Sequence, residues 1–301
     1  MPKVKRNRDL CSGFTLIELV IVIILTGILA GVLFTIIRGP LQAYVQVGRR
    51  AVLVDIVETA LQRMTREIRL ALPYSIRVDS PGGLQAVEFL RTLDGGRYRN
   101  SGANRLKFNQ SSGTFDVINN LVNFTSIVTA TTATPYQECL NSQADCMVVY
   151  NIGQPTSVAA ATAIGYSANA YLGASSAYKG NIAAVTGAGA NSISFSNDNL
   201  AWTFGMQSSQ HRFSIVDTPV SFICDGSELY HYSDYPIVAS QPASPGGSGN
   251  LLIDHVTACE FDYDKPTLTR FGLLSINIQV TDPASGESVS LLQQINVTNV
   301  P

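Results

Sequence analysis

With 301 residues, 20 basic and 22 acidic side chains and a formal net charge of −2, the chain has room for one large domain or two small ones. It lacks the surplus of positive charge that a nucleic-acid-binding face requires. Only 14 % of residues are charged and mean hydropathy is +0.16, partly because of one apolar run near the N-terminus and partly because of small residues further on.

The N-terminus opens with Lys3, Lys5, Arg6 and Arg8, followed by Cys11, Gly13 and Phe14. From Phe14 to Ile37 the only charge is Glu18. A secretory signal would carry a short apolar core followed by a small-residue cleavage site. Nothing of that kind follows Ile37, and the natural cut lies before the run, between Gly13 and Phe14. As a helix the run spans about 36 Å, enough to cross roughly 30 Å of hydrocarbon. The basic leader keeps the N-terminus cytoplasmic, so residue 40 onward faces the other side. Without residues 1–13 the balance becomes 16 basic against 21 acidic residues.

The helical pattern continues beyond the apolar run. Leu53, Ile56, Val57, Ala60, Leu61, Met64, Ile68 and Ala71 form a stripe at spacings of three and four, with Arg50, Asp55, Glu58, Arg63, Arg66, Glu67 and Arg69 opposite. Pro73 disfavours helix at Leu72, which places the helix over residues 14–72. Gly39-Pro40 predicts a kink or a melted turn, because proline removes one backbone hydrogen bond and crowds the turn before it. Gly27-x-x-x-Gly31 would let two helices approach closely, a weak motif on its own.

From Tyr74 the period changes to two. Strands are predicted at 74–78, 86–90, 105–108, 121–128, 147–151, 192–195, 212–215, 220–224, 229–232, 259–263, 272–281 and 288–297, separated by turns such as Pro81-Gly82-Gly83, Asp94-Gly95-Gly96 and Asp225-Gly226. The last two form the clearest hairpin, across Asp282-Pro283. Residues 152–191, rich in Ala, Gly, Ser and Thr, read as a long surface excursion, and 240–249 as a flexible loop. The predicted class is α+β: one long helix, then an antiparallel β-rich head over 73–301.

Cys139, Cys146, Cys224 and Cys259 lie beyond the apolar run, an even number that suits an oxidising compartment. Four cysteines allow three pairings. Cys139–Cys146 and Cys224–Cys259 are expected, the first closing a short loop and the second linking two strand-like runs. No Cys-x-x-Cys, phosphate loop or hydrolase motif is present. His211, His231 and His255 match no compact metal-ligand spacing, and Glu260, Asp262 and Asp264 share one strand face that reads as solvated rather than calcium-binding. No catalytic residue, metal or cofactor is expected.

Gly13, Phe14 and Glu18, with Phe14-Thr15-Leu16-Ile17-Glu18 after a basic leader, resemble the type IV prepilin family. That resemblance implies cleavage between Gly13 and Phe14 by a prepilin peptidase and N-methylation of Phe14. It implies that Glu18 pairs with the N-terminal ammonium of a neighbouring subunit during assembly. It also implies partners: other minor and major pilins, and an inner-membrane assembly platform. The run from Leu61 to Arg69 is similar to large minor pilins and pseudopilins of the J or W type. Val148 to Gly153, Phe222 to Asp225 with Leu229 to Tyr232, and Ser288 to Pro301 resemble minor pilins of the mannose-sensitive haemagglutinin (MSHA) pilus. A subunit of a type II secretion or competence system is the alternative within the class. A different class, an enzyme or binding protein held outside the cytoplasm by an N-terminal anchor, would need neither the cut site nor Glu18.

Overall fold

The computed structural model describes residues 14–108, 110–118, 123–127, 134–173, 175–189, 191–197, 204–265 and 271–298. Gly13, the basic leader with Cys11, and Asn299 to Pro301 lie outside the described residues. The chain forms two compact units, Met1–Val52 and Leu53–Pro301. Helix α1 (Leu16–Ile68) supplies residues to both.

Within the second unit, α1 buries Val57, Ala60, Leu61, Met64 and Ile68, the predicted stripe, while Ile56 is left 39 % exposed. The helix ends at Ile68, before the expected stop at Leu72. The reason lies in the sheet: Leu72 N–H donates to Leu90 O at 2.8 Å and Thr92 N–H to Leu70 O at 2.8 Å. The last apolar residues of the stripe, Ala71 and Leu72, are therefore buried as extended backbone beside a strand.

The strands are β1 (Arg77–Asp79), β2 (Gln85–Arg97), β3 (Ser112–Asp116), β4 (Cys146–Val149), β5 (Ile182–Gly189), β6 (Ser192–Ser196), β7 (Arg212–Cys224), β8 (Leu229–Ser233), β9 (Ser248–Ile253), β10 (Val256–Asp264), β11 (Gly272–Thr281) and β12 (Ser288–Val297). Two short helices, α2 (Pro135–Leu140) and α3 (Val158–Ile164), lie between β3 and β5. All pairings between strands are antiparallel. The larger sheet runs β1-β2-β7-β4-β5-β6-β3, with β8 on β7 and β9 on β8, and the smaller is β10-β11-β12.

Strand β7 organises the larger sheet. One edge pairs with β2 from Arg212 to Cys224, and the other is shared: Phe213–Val216 bond to β4, Ser221–Cys224 to β8. Pro219 falls in the gap between those two partners, where its missing N–H is not required. Sequence reading gave this strand as two, 212–215 and 220–224. Opposite the gap β2 is irregular, and Arg91 from the irregular stretch pairs with Asp217.

Among the described residues, three large apolar clusters and a small one around Ala161, Leu172 and Tyr178 fill the second unit. The stripe of α1 packs against Val87, Phe89, Val220 and Phe222 of the larger sheet and Leu274, Ile276 and Ile278 of the smaller. Beyond it, β4 and β5 are covered on both faces: Cys146, Val148, Ile182 and Ala184 pack with Tyr136 and Tyr171, while Met147, Val149, Ala183 and Val185 pack with Phe195, Phe204 and Phe213. This corrects the reading of residues 152–191 as a surface excursion. Ile182 to Val185 are fully buried inner-strand residues, and the small side chains at 183 and 184 leave room for the aromatic rings on either face. Other departures are smaller. Residues 105–108 form no strand, although Leu106 is buried. Nor do the described residues 123–127 of the expected 121–128 strand. The expected flexible loop at 240–249 ends in the first residues of β9.

Candidate assembly site

The first unit presents an unusual surface. Every residue from Phe14 to Val52 is exposed, and an 18-residue window of α1 has a mean hydropathy of 3.0 with none of it covered by the chain. A helix apolar on all sides is stable only in lipid or among other helices. Its polar groups are already satisfied along the helix: the Thr26 hydroxyl donates to Val22 O at 2.8 Å and the Thr35 hydroxyl to Val32 O at 2.8 Å. That leaves Glu18 as the one charge of the span.

Glu18 sits in the first turn. Thr15 precedes the first helical residue, and its hydroxyl accepts the Glu18 backbone N–H at 3.4 Å while its carbonyl accepts Leu19 N–H at 3.2 Å. Thr15 is thus the N-cap and Glu18 the third helical residue, the spacing of a capping box. The carboxylate also lies at the positive end of the helix dipole. Sequence reading missed the cap, although Thr15-Leu16-Ile17-Glu18 spells its Thr-x-x-Glu pattern. Phe14 is 79 % exposed immediately before this turn. Gly27 and Gly31 have no atom within 4 Å of where a β-carbon would stand, so the helix surface there is an open notch. The helix is unbroken through Gly39 and Pro40, which corrects the expectation of a melted turn. Loss of the single hydrogen bond that Pro40 cannot donate is absorbed within a helix that continues to Ile68.

The remaining expected site residues are scattered over the second unit. Cys139 and Cys146 are bonded, tying α2 to β4, and Cys224 and Cys259 are bonded, tying β7 to β10. The histidines occupy three separate environments. His211 meets Asn100 Nδ2 at 2.9 Å and packs edge-on against Tyr98. His231 Nε2 lies 2.7 Å from Glu67 at the end of α1, and His255 Nδ1 lies 3.2 Å from Asp254. Burial works to raise the Glu67 carboxyl, but hydrogen bonds and charge from His231 and Arg63 outweigh it and hold the group below the ordinary carboxylate value. Glu260, Asp262 and Asp264 lie on the exposed face of β10.

Residues 8–34 match the family described as the prokaryotic N-terminal methylation motif. No curated protein and no solved structure matches the chain. The matched residues contain Phe14, the Thr15 cap, Glu18 and most of the uncovered apolar helix. The motif and that helix together support membrane anchoring at the N-terminus and a type IV prepilin-like protein.

Proposed function

We propose that this chain is a minor pilin of an MSHA-like type IV pilus, similar to the MSHA biogenesis protein O, and that it acts in initiation or tip assembly through its N-terminal helix. The observation that carries the reading is a methylation-motif helix, apolar on every side, with a single carboxylate in its first turn. A prepilin peptidase would cut between Gly13 and Phe14, and Phe14 would be methylated. The processed helix would rest in the inner membrane and then move into a fibre core, where α1 of neighbouring subunits replaces lipid. There Glu18 would meet the ammonium of an adjoining Phe14. Such pairing in an apolar setting fixes register more than it adds net stability. The β-rich unit would face outward as a structural head rather than an enzyme.

Comparison of Glu18→Gln with Glu18→Ala tests the role of the charge. Glutamine keeps the capping-box geometry and the polar reach of residue 18 but removes the charge. Both variants should insert in the membrane and mature to a Phe14 N-terminus, as read by mass spectrometry, and both should be absent from purified fibres. Incorporation of Glu18→Gln at the native level, with loss only in Glu18→Ala, would assign Glu18 to helix capping and remove the pairing role. Deletion of the protein should reduce fibre number far more than fibre length. Labelling along the whole shaft, at the density of the major subunit, would exclude a tip or initiation role.

A further inference from the structure

Positive charge collects where β2 ends and β7 begins. Arg97 closes β2, Arg212 opens β7, and the two stand directly opposite each other in the pairing. Opposite residues on antiparallel strands share a face, and like charges so placed are destabilising. Both residues are exposed. The Nε of Arg97 donates to Gln210 O at 3.1 Å, whereas the Arg212 guanidinium has no hydrogen bond or ion pair among the described residues. The chain beyond β2 adds Arg99, Arg105 and Lys107, all exposed and all likewise without a side-chain partner among the described residues.

Three hollows run together across this surface. One of 320 Å³ is lined by Arg97 and Arg212, one of 470 Å³ by Arg97, Arg99 and His211, and one of 380 Å³ by Arg105 and Lys107. The first two share Arg97 and the last two share Asn100, so they form one track. Among the described residues no aspartate or glutamate lines it. The acids closest in sequence are bonded otherwise. Asp94 accepts the N–H groups of Gly95 and Asn123 at 2.7 and 3.2 Å, and Asp116 accepts Asn104 Nδ2 at 3.3 Å. The floor of the track is braced: Tyr98 N–H donates to His211 O at 2.8 Å and Leu106 N–H to Arg99 O at 3.1 Å. Two lining residues, Tyr150 and His211, have φ of +54° and +56°, a conformation rare outside glycine that gathers at ligand sites.

We propose that this track binds a linear acidic polysaccharide, whose carboxylate or sulfate groups sit on the basic side chains and whose hydroxyls meet the amides between them. An anion between Arg97 and Arg212 relieves a repulsion that the fold alone leaves standing. Most of the cations are arginines, whose planar fork matches an oxyanion through two parallel hydrogen bonds. Asn100, Gln110, Asn151 and Gln207 line the same hollows. Each amide offers a donor and an acceptor, as a sugar hydroxyl does. The rings argue against a single-stranded nucleic acid. Tyr98 and Phe213 are buried, and Phe108 and Tyr150 are half-buried against the same apolar cluster. The track therefore lacks the row of open rings on which successive bases stack. All of these residues belong to the second unit, so the proposal does not depend on Glu18 or on what α1 does in the membrane.

The test uses the full chain in non-ionic detergent micelles, titrated by fluorescence anisotropy with labelled octasaccharides of polygalacturonate, of heparin and of neutral dextran. The first carries carboxylates and the second sulfates, which separates the two sources of negative charge. At least one acidic octasaccharide should bind and dextran should not, and raising salt from about 50 to about 500 mM should weaken binding at least tenfold. Arg99→Ala/Arg105→Ala should weaken binding about tenfold at an unchanged melting temperature, since both side chains are exposed. Arg66→Ala/Arg69→Ala removes the same charge from an exposed surface outside the track and should change binding less than twofold. No binding of either acidic octasaccharide, equal binding of dextran, or equal losses in the two double variants would each overturn the proposal. Tighter binding of a short DNA duplex than of either acidic octasaccharide at the same salt would overturn it in favour of a nucleic acid. The dextran, salt and duplex arms use the unaltered protein and do not depend on a variant folding.

Discussion

The two disulfides should differ in what they contribute, and the difference follows from the chain they enclose. Cys224–Cys259 spans 35 residues and joins the two sheets, whereas Cys139–Cys146 spans 7 and pins α2 to the strand that follows it. On the chain-entropy account, loops of these sizes stabilise the fold by about 4 and about 2.5 kcal/mol at 25 °C. Alanine is the proper replacement. Cys139 and Cys146 are fully buried and Cys224 is 3 % exposed, so serine hydroxyls there would add an unmatched polar group at about 1–3 kcal/mol. We expect the Cys224→Ala/Cys259→Ala protein to lose about 4 kcal/mol and the Cys139→Ala/Cys146→Ala protein about 2.5 kcal/mol, each with a further ~1 kcal/mol for the space left by the sulfurs. Urea titration of the full chain in micelles, read at unchanged m-value, measures both. A larger loss from the short-loop pair than from the long-loop pair would refute the entropic reasoning and locate the stabilisation in the native packing instead.

Met64→Ala should destabilise the second unit by about 2–5 kcal/mol, because Met64 is fully enclosed between the two sheets, while Ile56→Ala on the same helix should change it by less than about 1 kcal/mol. Both are read by the same titration. Glu67→Gln should weaken the protein by about 1 kcal/mol at pH 7. The Glu67 carboxyl lies below its ordinary value of 4.5 in the folded chain, so its contribution is present above that value and is lost as pH falls through the folded one. The gap between Glu67→Gln and the parent should therefore close below pH 4.5 in urea titrations repeated across pH. Gly247→Ala should be severely destabilising, because φ is +68° and an added β-carbon would overlap Ser233 O and lie 2.6 Å from Asp234 O. A melting temperature within a degree of the parent would contradict that geometry.

Legibility of the sequence varied with the physics of each element. The hairpin of β11 and β12 was readable to the residue because each strand has one face more buried than the other, so in β11 the buried positions Leu274, Ile276, Ile278 and Val280 alternate with half-buried ones. Strand β5 was invisible for the opposite reason. Both its faces are buried, which erases alternation, and its alanines have the composition of a loop. Strand β9 is an exposed edge held by backbone bonds to β8, which leave no mark on residue type. Within the candidate site, the leader, Phe14, Glu18 and the apolar run could be read directly because they are contiguous. The role of Thr15 was equally printed in the sequence but was hidden by the stronger signal around it.

The central position of β7 sets a problem of timing. Its longest partner, β2, ends at Arg97, and β7 begins only at Arg212, with four strands and two helices emerging between them. During synthesis, β2 must wait for more than a hundred residues to follow before its edge is covered. Long-range pairing of this kind is slow, and an unpaired strand rich in Val, Phe and Leu is exposed to wrong partners meanwhile. The stretch in between can bond β5 to β4 and to β6, and β6 to β3, by itself, so it can fold ahead and offer β4 as a ready edge. β7 then closes the sheet from both sides in a single late step, and only afterwards can β10 receive the Cys224 thiol. The order of synthesis thus makes the long-range disulfide a lock applied last, and thiol oxidation acting too early would trap the chain with its largest sheet still open.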